Sequence, residues 1–227
     1  MDEFLTAVRT GLAAAADPAK ASDMRRYMKS EMPFRGVPKP ARQKATRRLF
    51  AEHPFPDKES FAAAAGTLWR EATFREERYV AIDLTGDRRY VRWQRSDLLA
   101  LYQEFIVTGA WWDYVDEVAS RRVGPLLRAE PPVVGPIMRR WARDADHWRR
   151  RTAIICQLGS KEETDLDLLT HAIEASIGER DFFLRKGIGW ALRQYARVDP
   201  GWVRAFVTAH PGLSPLSVRE ALKHART

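Results

Sequence analysis

The sequence lacks the features that several protein classes require. It contains one cysteine, Cys156, which excludes an internal disulfide and favours a reducing compartment. Its first residues lack the basic segment and apolar stretch of a secretory signal, and no run approaches the ~18 apolar residues of a membrane helix. Alternation of apolar and polar residues long enough for a β-sheet is also missing. These absences predict a cytoplasmic, all-α protein without a membrane partner.

Signatures of several catalytic chemistries are missing as well. The histidines form no HExxH or other close metal pair, and no glycine-rich phosphate loop precedes a helix. Cys156 has no CxxC partner and lies in an apolar stretch, which favours an inert buried thiol over a nucleophile. These patterns therefore give little support to a metal site, a phosphate-binding loop or a cysteine nucleophile.

What is present is a folded, basic chain. It has 227 residues, of which 45% are hydrophobic, and its 38 Lys and Arg against 30 Asp and Glu give a net charge of +8. This apolar content excludes a disordered basic tail, and the surplus charge suits a polyanion, with nucleic acid as the leading class. No linker composition appears, so residues 1–227 are expected to form a single domain.

The chain contains an internal repeat. About a dozen short helices are expected, opened by signals such as Asp57, Pro131-Pro132, Asp199-Pro200 and Ser214-Pro215. Similar tetrapeptides begin at Arg151, Arg185 and Arg219, which are 34 residues apart, and related ones begin at Asp116 and Arg78. This period without the TPR signature predicts a HEAT-like solenoid of antiparallel helix pairs, curved around a basic concave groove.

When the five repeats are aligned, the first residues of their tetrapeptides fall in one column. Four repeats have arginine there and one has aspartate, Asp116. An arginine column can follow a phosphate backbone, although such arginines can equally pair with acids of neighbouring helices. Asp116 is the exception in this column. An anion in a groove that binds a polyanion weakens binding, so we expect Asp116 to have another function.

Tryptophans accompany this aspartate. Trp112 and Asp116 are four residues apart and therefore share a helix face, with Val115 and Val118 on the buried side. A second indole, Trp190, precedes Arg193 and Arg197. An indole face beside a carboxylate suits a cationic group, while the alternative is that both tryptophans belong to the core.

Basic residues concentrate in two segments. Residues 35–48 contain six basic residues and no acid, and we take Arg35, Lys39 and Arg42 as DNA-binding candidates. Residues 139–151 contain six arginines, with Trp141 and Trp148 among them. Arginines alternating with aromatic residues suit contact with a sugar-phosphate backbone, and a solvated helix face is the alternative.

Six segments together match a known family: Met24–Lys29, Phe34–Arg42, Val107–Asp116, Trp148–Ile154, Lys186–Tyr195 and Leu216–His224. Through them the chain resembles the AlkD-type DNA alkylation repair proteins, which are HEAT-like alkylpurine DNA glycosylases, over nearly its whole length. The most specific part is Trp-Trp-Asp-x-Val-Asp followed by Ile-Gly-Trp-x-Leu-Arg. Two positions depart from the family pattern, since Gly187 replaces a usual alanine and Gln194 a usual glutamate.

The resemblance implies roles for individual residues. Asp116 corresponds to the catalytic aspartate, and Trp112 and Trp190 correspond to the tryptophans that face the lesion. The DNA contacts that it implies are Tyr27, Arg151 and Arg193.

The resemblance also implies a reaction. A purine alkylated at N3 or N7 is cationic and leaves without a protonating acid, so the protein needs only to stabilise an oxocarbenium-like sugar. Asp116 could act electrostatically or as the base that positions water. The implied activity is monofunctional hydrolysis of the glycosidic bond without base flipping and without a cofactor.

The expected partner is double-stranded DNA containing alkylated bases, bound by a monomer in the cytoplasm at the nucleoid. The competing interpretation is a non-catalytic HEAT-like scaffold that binds nucleic acid or protein. Such a scaffold explains the repeats and the charge but gives no reason for Asp116.

Overall fold

The computed structural model describes residues 2–224, which contain fourteen α-helices and no β-strand. This confirms the all-α prediction. The helices form two compact units, Met1–Trp93 and Gln94–Thr227. The organisation of residues 1–227 as a single domain stays a prediction.

The first unit contains five α-helices: α1 (Asp2–Ala14), α2 (Pro18–Met28), α3 (Lys39–Glu52), α4 (Lys58–Arg70) and α5 (Arg75–Thr85). Helix α5 packs against α1, α3 and α4. Large apolar side chains such as Leu12, Phe61 and Trp69 fill the space between these helices and are almost completely buried. Asp57 caps α4 by accepting the Ser60 N–H at 2.7 Å, as the sequence predicted.

A buried carboxylate fixes the loop that leads into α3. Glu76 of α5 accepts backbone N–H groups from Arg35, Gly36 and Val37 at 2.9 to 3.1 Å. Gly36 has φ of 81°, and a Cβ there would lie 2.0 Å from the Asp17 carbonyl oxygen, so only glycine fits. Hydrogen bonds to Glu76 of α5 therefore fix the backbone at the start of the first basic segment, residues 35–48.

The second unit contains nine α-helices: α6 (Leu99–Gly109), α7 (Trp112–Val118), α8 (Gly124–Ala129), α9 (Pro131–Trp141), α10 (His147–Ile155), α11 (Leu166–Glu174), α12 (Phe182–Tyr195), α13 (Pro200–Ala209) and α14 (Pro215–Ala221). A π-helical turn, Ala119–Val123, joins α7 to α8. The predicted starts at Pro131, Asp199-Pro200 and Ser214-Pro215 are confirmed. A short 3₁₀ turn, Ser96–Leu98, precedes α6, which starts at Leu99.

The repeat is visible as a series of packed helices. Helix α7 packs against α10, α10 against α12, and α12 against α14, while α9 and α11 pack against α10 and each other. The series places Asp116, Arg151, Arg185 and Arg219 at equivalent positions of α7, α10, α12 and α14. The predicted helical-repeat fold is thereby confirmed.

Cys156 is completely buried, and this burial raises the pKa of its thiol to about 12, as expected of an inert thiol. Within residues 2–224 no helix has the length and apolar character to span a bilayer. The same residues contain no group of His, Cys, Asp and Glu side chains arranged to hold a metal ion.

Candidate active site

The centre of the candidate site is helix α7. The chain turns sharply at Ala110, which has φ of 44°, and α7 begins two residues later at Trp112. Tyr114, Val115 and Val118 are completely buried. The opposite side of the helix therefore presents Trp112 and Asp116 together, as their spacing of four residues predicted.

Asp116 forms a two-pronged ion pair with Arg151 of α10. Arg151 Nε donates to Oδ1 at 2.7 Å, and Nη2 donates to Oδ2 at 2.8 Å. The remaining guanidinium nitrogen, Nη1, donates to the carbonyl oxygen of Phe183 at the start of α12. Arg151 is only 3% exposed, so α7, α10 and α12 are joined through one buried cation.

Two opposing effects act on the Asp116 carboxyl. Burial raises its pKa, because a charged carboxylate loses hydration, and the charge of Asp113 acts in the same direction. The hydrogen bonds and the charge of Arg151 lower the pKa. The effect of burial is the larger, so the pKa of Asp116 lies above the ordinary aspartate value.

An open pocket of about 560 Å³ brings the three predicted catalytic residues together. Trp112 and Asp116 line it from α7, and Trp190 lines it from α12. The remaining lining residues are Asp113, Glu117, Ser120, Arg121, Leu158, Gly159 and Gln194. Two half-buried indoles and a carboxylate therefore face the same space, which suits a small cationic group.

Helix α12 approaches its neighbours closely at two glycines. A Cβ at Gly187 would lie 3.0 Å from Nη1 of Arg151, and a Cβ at Gly189 would lie 2.5 Å from the Cβ of Glu220. Small residues at these positions let α12 pack against α10 and α14 and place Trp190 in the pocket. The two departures noted in the sequence thus lie beside the site, since Gly187 contacts Arg151 and Gln194 lines the pocket.

The arginines of the second unit that were expected to bind DNA have acidic partners. Arg151 is paired with Asp116, and Arg193 donates to Glu220, which also accepts from Lys186 at 2.7 Å. Both arginines therefore pair with acids of neighbouring helices. Arg193 keeps an exposed edge, whereas Arg151 would have to leave Asp116 to reach a phosphate.

Two arginines of the first basic segment are also paired with acids that lie far away in sequence. Arg35 contacts Glu77 at 3.3 Å and covers the ring of Phe74. Arg42 is buried, and its Nε donates to Asp83 at 2.8 Å. The absence of acids within residues 35–48 therefore did not mean that these arginines lack acidic partners.

The remaining candidates of the first unit lie at the surface. Tyr27 on α2 is 74% exposed, and Lys39 is exposed at the start of α3. An exposed tyrosine of this kind is available for a ligand, since it is among the largest apolar side chains left in solvent. DNA binding by Tyr27, Arg35, Lys39 and Arg42 stays a prediction.

The second basic segment differs from its sequence interpretation. Trp141 and Trp148 are buried, at 5% and 4% exposure, so the expectation that they contact a sugar-phosphate backbone is wrong. Arg149 and Arg150 pair with Asp144 and Glu179, at 3.0 and 2.8 Å. Trp148 packs against the rings of Trp111 and Phe183 in the core of the second unit.

Arg121 was not among the site residues predicted from the sequence. It lies four residues after Glu117, which also lines the pocket, so its helical spacing could have indicated it once Glu117 was considered. Gln194 was noted only as a departure, although its position four residues after Trp190 places it on the same face of α12.

The exposure of the tryptophans leads to a first prediction. For the glycosylase activity that the family resemblance implies, Trp112→Ala and Trp190→Ala should slow excision of an alkylated purine by about tenfold, because each removes an aromatic face from the pocket. Their melting temperatures should fall little, since both side chains are half-buried. The matched controls Trp141→Ala and Trp148→Ala should lose about 3–5 kcal/mol of stability. If melting curves show all four variants to be equally unstable, Trp112 and Trp190 belong to the core.

The chain is similar to known proteins of one family. The family model described as DNA alkylation repair enzyme matches residues 8–225. A solved structure described as a predicted DNA alkylation repair enzyme from Enterococcus faecalis is similar, with 33% sequence identity and a TM-score of 0.83. The similarity covers 92% of this chain and 96% of that one. No curated protein matches the chain.

Proposed function

Because the chain belongs to the DNA alkylation repair enzyme family, we propose that it is a DNA glycosylase that hydrolyses the N-glycosidic bond of cationic N3- or N7-alkylated purines in duplex DNA. The observation that carries the proposal is the shared pocket of Trp112, Asp116 and Trp190. Its groups match the positive charge that develops on the sugar as the base leaves.

The chemistry follows from charge. A purine alkylated at N3 or N7 already carries a positive charge, so its bond to C1′ breaks without an acid to protonate the base. The sugar then becomes an oxocarbenium-like cation, which the Asp116 carboxylate stabilises by its charge and the two indoles by their ring faces. Water adds to C1′ and gives an abasic site and the free base.

Arg151 acts in this proposal as a positioning residue. Its two hydrogen bonds fix both carboxylate oxygens of Asp116, and its charge favours the ionised form. The carboxylate is thus held in place before the substrate binds, so little reorganisation accompanies the reaction.

Hydrolysis without a covalent intermediate between the protein and the sugar is the expected outcome. The described residues that line the pocket include no lysine, the side chain that would form a covalent imine with the sugar. We therefore expect an abasic site without strand cleavage. A cationic base needs no protonating group behind it, so the proposed reaction does not require flipping the base into a closed pocket.

A direct assay tests the proposal. Duplex containing one N7-methylguanine is incubated with excess protein, and release of the free base is followed alongside cleavage of the abasic product by alkali. Base release well above the uncatalysed rate is expected. Binding of the same duplex without any release would favour the scaffold alternative, in which the repeats only hold nucleic acid.

The raised pKa of Asp116 gives a second prediction. Only the ionised carboxylate stabilises the sugar cation, so excision should fall as the pH is lowered through the pKa of Asp116. Because that pKa is raised, the midpoint should lie above the ordinary aspartate value of 3.8. Single-turnover rates between pH 4 and 8, corrected for uncatalysed depurination, measure it. A rate that stays constant down to pH 4 would contradict the prediction.

A further inference from the structure

Arg121 is the sole cation among the described residues that line the pocket. Its side chain is 69% exposed, whereas Arg151 of the same unit is buried. A cation beside the place where a sugar cation forms opposes the reaction, unless an anion of the substrate takes up its charge. An anionic group of the substrate is therefore the expected partner of Arg121.

The backbone explains how Arg121 reaches the pocket. Asp116 and Arg121 are five residues apart, a spacing that does not share a face in a regular α-helix. The π-helical turn Ala119–Val123 has the i→i+5 register instead, and Arg121 lies within it. Glu117, four residues before Arg121, lines the pocket as well, so Arg121 reaches the pocket on the Glu117 side of this segment.

Arg121 is only weakly paired with its acidic neighbour. Arg121 Nε lies 3.6 Å from Glu117 Oε2, which is too long for a strong hydrogen bond. Arg122 Nη2 lies 3.9 Å from the other oxygen of Glu117, so this carboxylate is shared with a second arginine. The long contact and the 69% exposure of its side chain leave Arg121 able to bind a further anion.

We infer that Arg121 binds a DNA backbone phosphate next to the alkylated nucleotide. This rests on the proposed function, since it takes duplex DNA as the ligand of the pocket. The phosphate neutralises the arginine, and the contact contributes binding energy to the ground state and the transition state alike. The direct phosphate contact at the pocket is then made by Arg121, while Arg151 holds the catalytic carboxylate.

Binding to lesion-free duplex tests the contact without relying on catalysis. Dissociation constants are measured between 50 and 200 mM salt for the wild type, Arg121→Gln, Arg121→Lys and Arg180→Gln. Arg180 is an exposed arginine just before α12 that does not line the pocket and lies outside both basic segments, so its variant controls for loss of net charge.

For Arg121→Gln we expect binding about tenfold weaker and a plot of log K against log salt shallower by about 0.9. Arg121→Lys should keep the wild-type slope, as should Arg180→Gln, and all melting temperatures should be unchanged. An unchanged slope for Arg121→Gln would overturn the inference. An equal loss of affinity in Arg121→Gln and Arg180→Gln would overturn it as well.

Excision separates this inference from the proposed function. In single-turnover reactions Arg121→Gln should raise the half-saturating protein concentration about tenfold and leave the maximal rate nearly unchanged. A wild type that excises normally, combined with an unaltered salt slope in Arg121→Gln, overturns the phosphate contact alone. A wild type that shows the Arg121-dependent slope but releases no base overturns the glycosylase activity alone.

Discussion

Asp116→Asn is expected to lower the maximal single-turnover rate of N7-methylguanine excision by about 100- to 1,000-fold. The amide has nearly the same shape as the carboxylate but lacks the charge that stabilises the sugar cation in the pocket. Affinity for lesion-free duplex should stay equal or become tighter, because the substitution removes an anion from a site for a polyanion. Single-turnover excision and equilibrium binding of the same preparation measure both effects.

Asp113→Asn is the matched control for this variant. Asp113 lines the same pocket and carries the same charge, but its carboxylate does not accept the two hydrogen bonds of Arg151. It should lose much less of the excision rate. Near-normal excision by Asp116→Asn would refute the catalytic assignment, and weaker binding would mean that Asp116 mainly orders the arginine.

Arg151→Ala is expected to destabilise the protein by about 3 kcal/mol or more. Removing the guanidinium leaves Asp116 largely buried without its partner and also breaks the hydrogen bond to Phe183. Excision should fall strongly, and its acid limb should move to higher pH, since the loss of Arg151 removes the groups that lower the pKa of Asp116. Denaturant unfolding and the pH dependence of single-turnover excision measure these effects.

The salt dependence of binding distinguishes the two roles of Arg151. A buried ion-pair partner makes no phosphate contact, so Arg151→Ala should bind lesion-free duplex with the wild-type slope. A slope shallower by about 0.9 would restore Arg151 as a direct phosphate contact. Arg151→Lys is the companion variant, because it keeps the charge but loses the two-pronged geometry, and it should recover part of the stability.

Much of the fold was predictable because its signals are local. Apolar residues at helical spacing, together with caps such as Asp57, Asp199 and Ser214, set helices whose starts lie where the sequence placed them. The repeated arginine tetrapeptides predicted the packed series of α10, α12 and α14. A repeat is readable from sequence because each unit needs the same buried face against its neighbour.

The candidate site was predictable in part for the same reason. Trp112 and Asp116 share a face because four residues nearly complete one helical turn, and this holds whatever the rest of the chain does. That Trp190 faces the same pocket required α7 and α12 to be brought together, for which the sequence offered only the family resemblance.

Local sequence patterns were enough to establish which segments are helices, where many of them begin, and which face of α7 carries the carboxylate. They did not establish which charges are available to a ligand, because that depends on helix packing. Nothing in the local sequence distinguishes Arg121 from Arg42, Arg151 and Arg193. The latter three pair with acids that lie 27 to 41 residues away, which are Asp83, Asp116 and Glu220. Burial and pairing depend on side chains that packing brings together from distant segments, so no local pattern records them.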